Sequence, residues 1–184
     1  ATDIDYELPG RENLNNLYLS AGINLVYDNT VANSNGIDLG TKGKFGVEKN
    51  INFNDNKQNF ESLNLDIRHY QKLVKGLVLA GRFNFGKSMG NAPKFSYLGG
   101  MENTVNRSIY DAQGLLPGPA GDFRDILFYN FPGQLRGFDF ARLFGNNHIL
   151  SNFELRGHLA EYFPRSSMSS TFLRSLQLVA FYDI

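Results

Sequence analysis

Residues 77–86 read Leu-Val-Leu-Ala-Gly-Arg-Phe-Asn-Phe-Gly. Leu77, Leu79, Gly81, Phe83 and Phe85 fall on one side of a two-residue repeat. Val78, Ala80, Arg82, Asn84 and Gly86 fall on the other. That period belongs to a β-strand with one apolar face. The pattern recurs on both sides of this stretch. In 63–70, Leu63, Leu65, Ile67 and His69 alternate with Asn64, Asp66, Arg68 and Tyr70. In 37–48, Ile37, Leu39, Phe45 and Val47 alternate with Asp38, Lys42, Lys44 and Glu48. In 17–27, Leu17, Leu19, Ile23 and Leu25 oppose Ser20, Gly22 and Asn24. Downstream, 148–158 sets Ile149, Ser151, Phe153 and Leu155 against His148, Leu150, Asn152, Glu154 and Arg156. In 175–184, Leu176, Leu178, Ala180 and Tyr182 oppose Gln177, Val179, Phe181 and Asp183.

Soluble strands average about 5–6 residues. A tilted strand that crosses a bilayer needs about 9–11, and several of these segments reach that length. The competing soluble β-sandwich favours shorter strands with turns every ~8–12 residues. Connections near 28–36, 71–76 and 159–172 are short to medium, whereas the alternate ones, near 49–60 and 87–147, include a very long one. Bacterial outer-membrane barrels have short periplasmic turns and longer extracellular loops. The expected fold is therefore all-β, an antiparallel transmembrane β-barrel. The long irregular segment, about 89–146, would begin on the extracellular side. Six strands are too few to close such a barrel, whose smallest members have about eight, and the pattern ends inside a strand. Residues 1–184 are thus expected to be the C-terminal portion of an outer-membrane barrel domain.

Composition is consistent with this and excludes other classes. Eighteen basic and 18 acidic residues among 184 give no net charge, so nothing favours a nucleic-acid partner. There is no Cys, which removes disulfide frameworks, thiol catalysis and Cys-based metal sites. Mean hydropathy is slightly negative, as it is in barrels whose alternate residues face water. No apolar run approaches the ~18 residues of a membrane helix. The first residues, ATDIDYELPGRENL, lack the pattern of a signal peptide.

Leu135-Arg136-Gly137-Phe138 lies in the long segment. Arg carries a permanent charge and a planar fork that matches carboxylates. Glu154 and Asp183 fall on the polar faces of the two following strands, where a returning loop could bring Arg136. Gly137 would allow a sharp turn, and Phe138 would wedge against the inner wall. This constellation resembles the C-terminal barrel of the bacterial surface antigen, or outer-membrane assembly and translocation, superfamily (BamA/TamA-like). That family has a [VL]-R-G-[FY] motif in a loop folded back into the lumen. Arg136, Gly137 and Phe138 match it. Ser151-Asn152-Phe153-Glu154-Leu155 looks like the next strand, and Val179-Ala180-Phe181-Tyr182-Asp183 resembles the family's F-x-D strand. The resemblance covers about 95–184. A Gly-Gly pair usually stands just before the motif, but here 35 residues separate Gly99-Gly100 from Arg136. A Pro- and Gly-rich insertion would explain that distance, as would another use of the pair. The wording NFPGQLRGF…NNHILSNFELR looks like that of divergent members from Bacteroidetes-type bacteria.

The resemblance implies a barrel of about 16 strands that takes part in outer-membrane protein insertion and assembly, or in polypeptide translocation. It implies outer-membrane lipid, unfolded outer-membrane proteins and accessory lipoproteins as partners, and neither a cofactor nor enzymatic chemistry. The alternatives are a passive pore or transporter, a barrel lipase, and a barrel anchoring a fused enzymatic or binding domain. Gly86-Lys87-Ser88-Met89-Gly90 fits G-x-S-x-G, but a nucleophile elbow needs a helix after its strand, and no helical period follows. His69, His148 and His158 share no metal spacing. His69 is expected near an interface, and His148 and His158 inside. Ser88 or Ser151 with His148 are the pairs open to a lipase, although Ser151 faces away from His148. Lys42, Lys44, Glu48, Asp66, Arg68, Arg82 and Arg156 are expected in the lumen. Phe45, Phe83, Phe85, Tyr162, Phe163, Phe172 and Tyr182 are expected in aromatic girdles.

Overall fold

The computed structural model describes residues 18–32, 38–53, 59–100, 129–138, 142–158, 162 and 176–184. Among them are ten strands and no helix: β1 (Tyr18–Asp28), β2 (Val31–Ala32), β3 (Asp38–Asn52), β4 (Phe60–Val74), β5 (Leu77–Gly90), β6 (Phe95–Leu98), β7 (Tyr129–Asn130), β8 (Leu143–Gly145), β9 (Asn147–His158) and β10 (Gln177–Asp183). The all-β reading holds. Phe163 and Phe172, like residues 101–128 of the long irregular segment, lie outside the described residues.

Seven strands form one sheet, six of them in the order β1-β3-β4-β5-β9-β10 with β2 paired to β3, every neighbouring pair antiparallel. Register aligns the faces. Leu25, Phe45, Leu65, Phe85 and Ile149 stand in one cross-strand row, and Lys42, Arg68, Arg82, Asn152 and Asp183 in another. A slip of one residue would exchange the two faces. The β4–β5 hairpin is tight because Gly76 takes a positive φ of 75° at its tip.

The apolar face is bare. Ile23 is 73% exposed, Ile149 64% and Leu178 63%. Polar groups border this band on β3 and β4. Lys49 Nζ meets Glu61 at 2.7 Å at one end, and Thr41 Oγ1 meets the exposed His69 at 2.8 Å at the other. Glu61 and His69 lie eight residues apart, or about 27 Å along an extended strand.

The polar face is covered over its middle strands, while its residues on β1, such as Val26, stay exposed. Its apolar members Phe60 and Leu150 are buried, as are Tyr97 and Leu135 of the segment packed over them. That segment is the long loop of the sequence pattern, and it differs from expectation in two ways. It starts later, because β5 runs to Gly90. It also carries structure of its own, a small β7-β6-β8 sheet in which Tyr97 stacks on Phe131 and Phe144 at 5.8 and 6.0 Å. Strands this short have no usable period, which is why alternation missed them.

Candidate functional site

The covering segment crosses the polar face like a strap, tied at each strand it passes. Just after β5 the chain turns back. Lys94 Nζ reaches Glu48 of β3 at 3.2 Å and lies 4.9 Å over the Phe60 ring. The backbone N–H of Lys94 donates to Ser88 Oγ at 2.8 Å. Ser88 is buried and its hydroxyl lies 3.4 Å from the Glu61 carbonyl. It is thus engaged in holding the return of the chain, and no elbow follows it. In β6, Ser96 Oγ lies 2.8 Å from His148 Nδ1, while His148 Nε2 lies 2.7 Å from Asn84 Oδ1. All three side chains are buried. Gly86 sits directly across from His148, and a Cβ there would come within 2.1 Å of the ring, so only glycine leaves room for this histidine. Ser96 as the partner of His148 was not anticipated.

Two ties follow along 132–134. Arg82 of β5 donates through Nη2 to the Pro132 carbonyl at 2.6 Å, and through the same nitrogen to Asp66 of β4 at 2.6 Å. A Cβ on Gly133 would come within 2.2 Å of Arg82 Nη1, so a side chain there would push the guanidinium out of its present place. Asn152 Nδ2 then donates to the Gln134 carbonyl at 3.0 Å.

At the far end Arg136 meets both expected carboxylates. Its Nη1 donates to Glu154 Oε1 at 2.6 Å. Its Nε and Nη2 each reach Asp183 at 2.7 Å, a bidentate pair, and its backbone N–H adds a third bond to Asp183 at 3.0 Å. The Asp183 side chain is 2% exposed and that of Arg136 10%, so solvent screens the pair little. Hydrogen bonding to Asp183 holds the Arg136 pKa above the ordinary arginine value. Asn152 Nδ2 donates to Asp183 Oδ1 at 2.9 Å, and Arg156 Nη2 donates to Glu154 Oε2 at 2.6 Å. The Arg136 guanidinium lies 3.9 Å over the Phe181 ring, a cation–π contact. Phe181 was readable as a polar-face residue of β10, but its role as the floor under Arg136 was not.

Gly137 has φ +90°, with open space where a side chain would begin, so it serves the turn of the chain. Phe138 is a correction. It is 49% exposed, whereas Leu135 is 5% exposed. Leu135 is the enclosed apolar side chain of the motif. Phe138 contributes its carbonyl, which accepts from the Gly100 N–H at 3.0 Å. Gly100 also bridges Leu135 in antiparallel fashion. The Gly-Gly pair, distant in sequence, therefore lies beside the motif in space. The intervening residues 101–128 lie outside the described residues.

No family model matches the chain, and no curated protein or solved structure matches it either.

Proposed function

We propose that the chain is part of an outer-membrane β-barrel, with the bare face against lipid and the strap inside the lumen. Its function is to insert and assemble outer-membrane proteins or to translocate polypeptides. The observation that carries the reading is Arg136 seated between Glu154 and Asp183, on the polar face of a sheet whose other face is bare and apolar. Exposed apolar patches of this extent mark an interaction surface. The ~27 Å between Glu61 and His69 becomes about 20 Å along the normal of a sheet tilted ~40°, close to the ~25 Å apolar band of outer-membrane barrels. A closed barrel of about 16 strands would pair the outer edges of β1 and β10, since backbone groups cannot remain unpaired in hydrocarbon. Outer-membrane lipid, unfolded barrel proteins and accessory lipoproteins would be its partners.

The test is reconstitution of the full-length protein into liposomes, followed by addition of a urea-unfolded outer-membrane barrel protein. The assembly reading expects faster folding of that substrate than in empty liposomes, with the gain lost in Arg136→Ala. Steady ion conductance without any acceleration would favour a passive pore. A protein that stays in the soluble fraction without detergent would overturn the membrane placement itself.

A further inference from the structure

The row that seats Arg136 holds more positive charge than the strap requires. Arg68 and Arg82 stand directly opposite each other in the β4–β5 register. Like charges so placed repel. Asp66 lies between them and is shared, with Arg68 Nη2 at 3.1 Å and Arg82 Nη2 at 2.6 Å from the same oxygen, Oδ2. Glu154 is shared in the same way by Arg136 and Arg156. Four guanidinium groups thus face three carboxylates, those of Asp66, Glu154 and Asp183. Lys42 lies 5.4 Å over Tyr70 and is balanced by Asp38 at 3.5 Å. Lys44, opposite Asp66 in the β3–β4 register, adds a further positive charge.

These groups surround a space. Arg68, Tyr70, Arg82, Arg136, Glu154 and Arg156 line a cavity of about 100 Å3. One water needs roughly 10–15 Å3 of such volume, so the cavity suits a group several atoms across. Arg68 engages Asp66 through Nε and Nη2 and also hydrogen-bonds Tyr70, and Arg156 engages Glu154 through Nε and Nη2, so both guanidinium groups are held in place at the wall of the cavity. A partly open cavity walled by guanidinium forks, with an excess of positive charge among the described residues, has the chemistry of an oxyanion site.

We infer that this cavity binds a tetrahedral oxyanion of the phosphate class, free or carried on a lipid headgroup, between Arg68 and Arg156. Neither residue bonds to the strap directly; Arg156 shares Glu154 with Arg136, whereas Arg68 pairs with Asp66 and lies outside the lock. The bound anion would complete the charge balance of the row and stiffen the wall where the strap is seated.

The experiment is a calorimetric titration of the full-length protein, solubilised in detergent, with inorganic phosphate at constant ionic strength against a chloride background. Saturable binding is expected, weakened about tenfold or more in Arg68→Gln, as for loss of a hydrogen bond to a charged group. Lys49→Gln removes a charge of the same sign on the opposite face and should leave binding unchanged. Arg68→Gln leaves Asp66 paired to Arg82, and retained heat-modifiability would check that it folds. Arg156→Gln provides a second variant, in which Glu154 keeps Arg136. Competition by glycerophosphoglycerol, a soluble diester headgroup, would point to lipid as the source, and its failure to compete would point to free phosphate. Absence of saturable binding, or equal binding by the wild type, Arg68→Gln and Arg156→Gln, would overturn the site. Neither result bears on the liposome folding assay, so the two readings fail separately.

Discussion

Arg136 and Arg82 hold the same short stretch of chain from opposite sides. Arg136 belongs to the strap and reaches into the wall, where Glu154 and Asp183 receive it. Arg82 belongs to the wall and reaches out to the strap, where the Pro132 carbonyl receives it. The first is a charge-for-charge tie between three side chains. The second makes one guanidinium serve a carboxylate and a backbone group together. The comparison shows that the lock motif is one fastening among several, and that the wall is also organised around the strap.

The two ties should differ in strength. Arg136→Ala leaves two acids without their main partner, Asp183 nearly enclosed, and breaking such a pair costs about 3–5 kcal/mol. A large fall in the temperature at which the protein loses its compact form on gels is expected. Lys42→Ala, by contrast, removes a partly exposed pair with Asp38 worth less than about 1 kcal/mol. Equal heat-modifiability of these two variants would contradict the ranking. Arg82→Ala should fall between them, at about 2–3 kcal/mol, because Asp66 keeps Arg68 while the Pro132 carbonyl loses its donor. Gly133→Ala sharpens the contrast. It should destabilise the wild type by about 1–3 kcal/mol through its clash with Arg82, and do so much less when Arg82 is already alanine. Additive effects in urea titrations would show that the two do not meet. Among the residues around the two ties, the smallest change expected is Phe181→Leu, which removes the ring under Arg136 and should cost about 1 kcal/mol. It should have no effect once Arg136 is gone.

The same contrast explains what could be read from the amino-acid sequence. The long strands were readable because one face is uniformly apolar, but their ends were not. The pattern at 63–70 extends to Phe60–Val74 because pairing continues past the apolar band, through residues such as Glu61 and Lys72 whose side chains carry no alternation signal. Arg136 was readable because its acceptors are side chains on the polar faces of their strands. The Arg82 tie was not, because its acceptor is a backbone carbonyl and no side-chain pattern marks one. Val78 and Leu150 are apolar residues on the otherwise polar faces of their strands. Both are buried, Leu150 beneath the β7-β6-β8 sheet, whose strands are too short to announce themselves. Phe138 was misassigned for a local reason: in a turn, a neighbour such as Leu135 can take the inward position.

The most direct test is a double-mutant cycle on Arg136 and Asp183, read as the free energy of unfolding in urea. Arg136→Ala, Asp183→Ala and the double variant are compared with the wild type. A residue pair joined by a bidentate bond and a backbone bond predicts a coupling of about 2 kcal/mol or more, with the double variant scarcely worse than either single one. Additive losses would mean that the guanidinium and the carboxylate do not meet in the folded protein, and would contradict the lock.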